Sequence, residues 1–302
     1  TTDTDTDDSS IVFSVSGSEL SITSGGVLTF ASAPDYETKS SYSATVTASD
    51  GTNSTSQAIT ISIIDVDDVA PVFTSNATFS AAENQTAIGT VTATDVDTDN
   101  SSITFSISGS DLSITSAGVL TFASAPDYET KSSYSATVTA SDGANSTTQN
   151  ITVNVTNVND NTPSITSSAT FSAAENQTAI GTVTATDADG DTLTYSLSGT
   201  DASSISINSS SGVLTFNSAP DYETKSSYSA TVTASDGTNS STQAITVSVT
   251  DVNEAPTITS NATFSAAENQ TAIGTVTASD ADGDTVSYSL SGTDALSMSI
   301  NP

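Results

Sequence analysis

Carboxylates recur at four fixed places in this chain, and few other side chains able to do chemistry are present. A Glu stands in AAENQ (Glu83, Glu175, Glu268), and paired Asp stand in TD.D or SD.D (Asp95 and Asp97, Asp187 and Asp189, Asp280 and Asp282). An Asp and a Glu form DYE (Asp35 and Glu37, Asp127 and Glu129, Asp221 and Glu223), and one Asp opens SDG (Asp50, Asp142, Asp236). Further acids lie in three segments ending in Pro: DVDDVAP from Asp65, NVNDNTP from Asn157 and DVNEAP from Asp251. With no His, no Cys and a single Met, Met298, imidazole and thiol chemistry are excluded. Hard carboxylate and carbonyl oxygens select Ca²⁺ or Mg²⁺ over zinc, iron or copper. A cage of about six to eight oxygens from flexible loops suits Ca²⁺, which tolerates irregular geometry, better than octahedral Mg²⁺. Two carboxylates about 5 Å apart repel by roughly 1 kcal/mol in water and about 3 kcal/mol at an effective dielectric near 20. Several acids at one joint therefore push its walls apart until a cation bridges them.

The elements that carry these acids repeat. DYETKSSYSATVTASDG starts at Asp35, Asp127 and Asp221 with at most one change, a period of 92 to 94 residues. The 302 residues thus hold two whole units, 71–162 and 163–255, and two fragments, 1–70 and 256–302, of which the first lacks its initial strands. In the unit 163–255, period-two alternation between turn signals predicts seven strands, at about 165–172, 179–187, 193–198, 205–208, 213–216, 228–235 and 243–251. Seven short strands and no helical period indicate an all-β chain of tandem Greek-key sandwiches. The expected core is Phe171, Ile180, Val183, Tyr195, Leu197, Val213, Leu214, Phe216, Tyr228, Val232, Ile245, Val247 and Val249. The alternate positions are Ser and Thr, so the outer faces are polar without charge. That regular alternation argues against disorder, which acidity alone would allow.

Composition narrows the partners. Three basic residues, Lys39, Lys131 and Lys225, face 35 acids, a formal net charge of -32. Nucleic acid and anionic membrane are poor partners for such a surface, and no run of about 18 apolar residues marks a membrane span. The absence of Cys leaves no disulfide to staple the units. No Ser-His or Cys-His pair and no phosphate loop exists, so the chain is not expected to be an enzyme. DADGD (Asp187 to Asp191, Asp280 to Asp284) begins like an EF-hand loop but lacks the later Glu and the flanking helices. Asn-X-Ser/Thr sequons such as Asn76, Asn84, Asn145 and Asn261 leave glycosylation open.

AAEN, DYE, NVNDNTP, D.D and SDG occur here in the same order as the PEN, D.E, D.NDN.P, D.D and later Asp motifs of cadherins. The chain resembles tandem cadherin-like repeats of the bacterial kind over its whole length. That resemblance implies a rod of sandwiches with calcium-bound linkers, about two to three ions at each. It implies that the second linker uses Glu83, Asp127, Glu129, Asn159, Asp160, the carbonyl of Asn161, Asp187, Asp189 and Asp236. The first would use Asp35, Glu37, Asp67, Asp68, Asp95, Asp97 and Asp142. The third, one residue shorter, would use Glu175, Asp221, Glu223, Asn253, Glu254, Asp280 and Asp282. Asp3, Asp5 and Asp50 belong by position to a junction with a preceding domain, and Glu268 to one with a following domain.

The function expected from these features is a calcium-rigidified extracellular rod, the stalk of a bacterial surface adhesin or the repeat of a filament. Near-identity between units favours a spacer, which has only length and stiffness to provide. The alternative is an adhesive module that binds glycan or another cadherin-like chain, with strand completion between copies as a route to polymers. Millimolar calcium outside cells places the chain extracellularly or at the cell surface.

Overall fold

Strands of this chain alternate small apolar residues with Ser or Thr, and each must bury one face against another sheet. In a computed structural model, which describes residues 10–301, they do so within two compact units, Thr1–Val158 and Asn159–Pro302. Asp3 and Asp5 lie outside the described residues.

In the second unit, Thr170–Ala174 runs parallel to Ser240–Thr250, which pairs antiparallel with Ser227–Ser235, itself antiparallel to Thr194–Ser198. A second sheet is built from Ala179–Thr182, Val213–Phe216 and Ile205–Ile207. Val232, Ile245, Val247 and Val249 of the first sheet form one core with Ile205, Leu214 and Phe216 of the second and with Val183 just past its first strand, closing the expected sandwich. The first unit repeats the plan. Thr78–Ala82, Ser146–Thr156, Ser133–Ser141 and Thr104–Ile107 form one sheet, and Ala87–Thr90, Val119–Phe122 and Leu112–Ile114 the other. Their core centres on Leu120, Val138, Ile151 and Val153.

Three sequence expectations need correction. The strand expected over 165–172 is two pieces: Ser164–Ile165 pairs with Ala185–Thr186, and Thr170–Ala174 crosses to the other sheet. Thr166 and Ser167 both donate their N–H to the carbonyl of Thr184, and Ala169 then accepts from Thr246, which marks the crossing. The strand expected over 179–187 is likewise split, after Thr182, where the Val183 N–H donates to the Gly212 carbonyl instead. Val213 is 42% exposed, because Leu214 and Phe216 hold the inward positions of that strand. Ala173, Ile205 and Ala230 fill the core positions that the sequence reading omitted.

Each lysine finds an acid some twenty residues away in sequence. Lys39 donates to Glu19 and Lys131 to Asp111, both at 2.6 Å, and Lys225 to Asp201. Each ammonium also sits over a tyrosine ring, of Tyr42, Tyr134 or Tyr228, at 4.2–4.6 Å from the centroid. The same rings meet Phe30, Phe122 and Phe216 edge-on. All three lysines of the chain thus pin the rim of a core.

Gly118 and Gly212 sit at the break in the strand that follows the AAEN turn, where their carbonyls accept the N–H of Val91 and Val183. Both have positive φ, 85° and 70°, and a Cβ on either would lie 2.2 Å from the carbonyl oxygen of Val91 or Val183. Gly109 also has positive φ, 86°, but open space around it. Gly109→Ala is therefore expected to cost about 1–2 kcal/mol of stability, the left-handed strain alone. Gly118→Ala should cost more than about 3 kcal/mol, since the backbone must also move. Denaturant unfolding of the two variants in EGTA checks the order.

Candidate metal centre

The linkers are extended segments whose peptide groups have no strand partner, so side chains must satisfy them. In the first unit the N–H groups of Asp68 and Val69 both donate to Asp97 Oδ2, at 3.1 and 2.7 Å. In the second, Asp160 and Asn161 donate to Asp189 Oδ2 at 3.1 and 2.8 Å, and Glu254 donates to Asp282 Oδ2 at 2.7 Å. The second Asp of each D.D motif thus anchors the linker that precedes it.

The first Asp of that motif holds its own loop. Asp95 Oδ1 accepts from the N–H groups of Asp97 and Thr98 at 2.8 and 3.0 Å, and Asp187 Oδ1 from Asp191 at 3.3 Å. The SDG aspartates do the same: Asp142 Oδ1 accepts from Ala144 and Asn145, and Asp236 Oδ1 from Thr238 and Asn239, at 2.6–2.7 Å. In every case one oxygen is committed to the backbone. The other oxygens, Asp95 Oδ2, Asp97 Oδ1, Asp142 Oδ2, Asp187 Oδ2, Asp236 Oδ2 and Asp282 Oδ1, are buried without a hydrogen-bond partner. Glu254 Oε2 is in the same condition, its Oε1 accepting from the Asn176 amide at 2.5 Å.

Acids also converge. Oxygens of Glu37, Asp65 and Asp97 lie within 4.8 Å of one another in the first unit. In the second unit so do those of Glu175, Asp221 and Glu223, of Glu223, Asp251 and Asp282, and of Asp187, Asp189 and Asp191. Three of these groups combine exposed or half-buried acids with an aspartate that has one orphaned oxygen, Asp97, Asp187 or Asp282, and oxygens at this spacing fit a hard divalent cation and no soft one.

Electrostatics bears the marks of this crowding. For Glu37 the backbone hydrogen bond lowers the pKa, but loss of water and the neighbouring Asp35 and Asp97 outweigh it and push the carboxyl up to about 7. Glu223 is raised as well: its backbone bond opposes, while loss of water and the charges of Glu175, Asp251 and Glu254 prevail. Loss of water is the main cause for Asp251 and Glu254, with Asp282 and Glu175 adding to it. The DYE aspartates move the other way. Asp35 and Asp127 are lowered, first by the hydroxyls of Thr38 and Thr130. Asp236 is lowered too, because the N–H groups of Asn239 and Thr238 overcome its larger loss of water.

Of the acids expected at the first linker, Glu37 and Asp97 fall in these groups, and of those expected at the third, Glu175, Asp221, Glu223 and Asp282; Asp65 and Asp251 join them although the sequence reading did not assign them as ligands. Asp67 takes part through Thr98, whose hydroxyl donates to it at 3.3 Å, and Asp68 through its backbone N–H. Asn253 uses its amide to donate to Asp282 and Asp284, at 3.2 and 2.8 Å. Two positioning residues were missed altogether. The Asn145 amide donates to the carbonyl and the carboxylate of Asp67 at 3.2 and 3.1 Å. The Asn239 amide donates to Asn159 Oδ1 and the Asn161 carbonyl at 3.1 and 3.3 Å. The signal was present as a D-G-x-N pattern at 50–53, 142–145 and 236–239.

The cadherin domain model matches residues 77–156 and 169–250. The protocadherin-like wing polarity protein stan of Drosophila melanogaster is 35% identical over 253 residues, covering 73% of this chain and 7% of that protein. Cadherin EGF LAG seven-pass G-type receptor 2 of Mus musculus is 33% identical, covering 76% of this chain and 9% of the receptor. The chain thus spans less than a tenth of either relative. Among solved structures, mouse cadherin-23 EC22-24 is similar with a TM-score of 0.66 and 26% identity, covering 80% of this chain and 86% of that one. The protocadherin gammaB7 EC3-6 cis-dimer structure has a TM-score of 0.66 and 27% identity, covering 90% and 77%.

A raised carboxyl pKa in the metal-free fold stabilises that fold at low pH. For Glu37 this contribution is complete below 4.5 and lost as pH rises through about 7. Cation binding must displace that proton. Calcium added in weak buffer at pH 6 should therefore release protons, and at pH 8.5 almost none. Calorimetry in buffers of different ionisation heat measures the count, which Glu37→Gln should reduce.

Proposed function

This chain belongs to the cadherin family, and we propose that it is a calcium-stiffened spacer whose linkers lock when cations fill the carboxylate cages. Cadherin repeats are adhesion and structural modules, and cadherin domains bind calcium in general. The observation that carries the reading is the division of labour within the aspartates: one oxygen tied to backbone, the other buried and unsatisfied. Leaving such groups unmatched is costly, and a divalent cation shared between them removes the penalty. We assign the cage oxygens of the first linker to Asp35, Glu37, Asp65, Asp67, Asp68, Asp95, Asp97 and Asp142. Those of the third are assigned to Glu175, Asp221, Glu223, Asp251, Asn253, Glu254, Asp280 and Asp282. Glu83, Asp127 and Glu129 in the first unit, and Asn159, Asp160, Asn161, Asp187, Asp189 and Asp236 in the second, carry the same motifs and receive the same role.

The domain borders in this reading are 70/71, 162/163 and 255/256, each at the Pro that ends a linker. About two to three calcium ions per linker would neutralise the five or more acids there. The setting is extracellular, where calcium is millimolar and weak modules of this type are filled. A bacterial surface adhesin is the protein we place it in, because near-identical repeats suit a stalk; the animal relatives support the family and leave this setting to experiment. Association with another copy is a second reading, supported by the cis-dimer assembly of a protocadherin relative.

Small-angle scattering of the chain in millimolar Ca²⁺ and again in EGTA tests the spacer. The expected result is a narrow distribution of extended particles with calcium and a broader, more compact ensemble after chelation. Unchanged scattering, together with an unchanged melting temperature, would reduce the acids to a solvated surface.

A further inference from the structure

One repeat departs from its neighbours beside the DYE turn. Leu20 follows Glu19 directly and Leu112 follows Asp111, but Ala202, Ser203 and Ser204 stand between Asp201 and Ile205. The strands that follow are equivalent, since Leu20 pairs with Phe30, Leu112 with Phe122 and Ile205 with Phe216. A second change accompanies the first: Asn217 occupies the place of Ala31 and Ala123.

The extra residues divide between two positions what one acid does in the shorter copies. There, Asp111 accepts the Ala123 N–H with its carbonyl at 2.9 Å and the Lys131 ammonium with its carboxylate at 2.6 Å, and Glu19 does the same for Ala31 and Lys39. In the longer copy the Ser204 carbonyl accepts from the Asn217 N–H at 2.9 Å, while the lysine, Lys225, stays with Asp201. Asp201 is only 9% exposed, and its carboxylate also accepts the Ser229 N–H at 2.8 Å. A cleft of about 400 Å³ lies between the lengthened turn and the DYE turn, with Ser203, Ser204, Asn217, Ser218, Pro220 and Tyr228 in its walls. The Asn217 amide is braced on both sides: Oδ1 accepts from Ser206 Oγ at 2.5 Å, and Nδ2 donates to the Ser203 carbonyl at 2.7 Å. An amide accepts two hydrogen bonds and donates two, so one of each is left in a fixed direction.

We propose that this cleft is a binding site for a neutral carbohydrate of one or two sugar rings. The volume lies in the range of small-molecule sites, about 300–1,000 Å³. Its walls mix hydroxyls and an oriented amide, which match the hydroxyls of a sugar, with Pro220 and the ring of Tyr228, which suit its C–H face. That ring is fixed by Phe216 edge-on at 5.0 Å and by Lys225 at 4.6 Å from its centroid. Charge argues for neutrality. The one charged side chain in the walls is Asp221, which repels anions and whose two oxygens already accept the N–H and the hydroxyl of Thr224, each at 3.0 Å. A purely apolar ligand would leave the amide and hydroxyls without partners, at a cost in affinity. The site does not depend on the calcium reading, although Asp221 borders both the cleft and the third cage.

The test titrates the full chain with the methyl glycosides of glucose, galactose, mannose and N-acetylglucosamine, and with lactose, maltose and diacetylchitobiose, following backbone amide resonances in EGTA and in millimolar calcium. At least one sugar is expected to shift the amides of Ser203, Ser204, Asn217 and Ser218 with a dissociation constant of about 0.1–10 mM, and to leave those of Ala31 and Ala123 in place. Asn217→Ala restores the residue that the other copies carry, so folding is not at stake, and it should weaken binding at least about 10-fold. The proposal is overturned by the absence of shifts at these four amides with all seven sugars, by equal shifts at Ala31 and Ala123, or by unchanged affinity in Asn217→Ala. Binding that disappears in EGTA would place the sugar on a cage ion and overturn it as well. Calcium-dependent stiffening, read by scattering, is a separate outcome and stands or falls without the sugar.

Discussion

Peptide groups in the linkers have no strand to bond with, and the molecule meets this constraint with carboxylates. Asp97, Asp189 and Asp282 each accept linker N–H groups, and Glu83 and Glu175 accept those of Val158 and Val252, where the last strand of a repeat gives way to linker. Accepting those bonds requires ionised acids to be gathered and partly dried at a joint, where they repel one another. The raised pKa of Glu37, Glu223, Asp251 and Glu254 shows that repulsion within the units. The same geometry that satisfies the backbone therefore creates the demand for cations.

The scarcity of basic residues becomes intelligible in this light. Were lysines scattered over the surface, they would pair with the linker acids and quench the demand. Instead the three lysines are held over tyrosine rings and tied to Glu19, Asp111 and Asp201, acids outside the four repeated motifs. Ser and Thr supply the outer sheet faces without charge. Electrostatic free energy is concentrated where folded sandwiches give way to linker.

Strand formation depends on partners more than on the residues themselves. Thr-Phe-Ser-Ala-Ala is strand at Thr78–Ala82 and Thr170–Ala174, each lying parallel to the last strand of its repeat. The same five residues at 263–267 adopt no strand, and Phe264 is 42% exposed. Among the described residues no strand pairs with them, and the ladder bonds and the apolar cover are both missing. A single strand has neither to offer by itself.

How much was legible follows from the same physics. Side-chain periodicity is local, so alternation of Val, Ile, Ala and Tyr with Ser and Thr announced the strands and most of the core, and five acidic motifs in order announced where acids would cluster. Val213 was misplaced because two adjacent apolar residues, Val213 and Leu214, both match an inward position until the pairing with Ile207 and Thr182 assigns the faces. The crossing between sheets near Ser167 was hidden because hydrogen-bond partners are chosen by tertiary proximity. For that reason too, only the folded chain showed which oxygen of Asp95, Asp142, Asp187 and Asp236 is held by backbone N–H groups and which is buried without a partner. Residue types determined which chemistry was available; the directions of peptide N–H groups, fixed by packing, decided which oxygen was left to perform it.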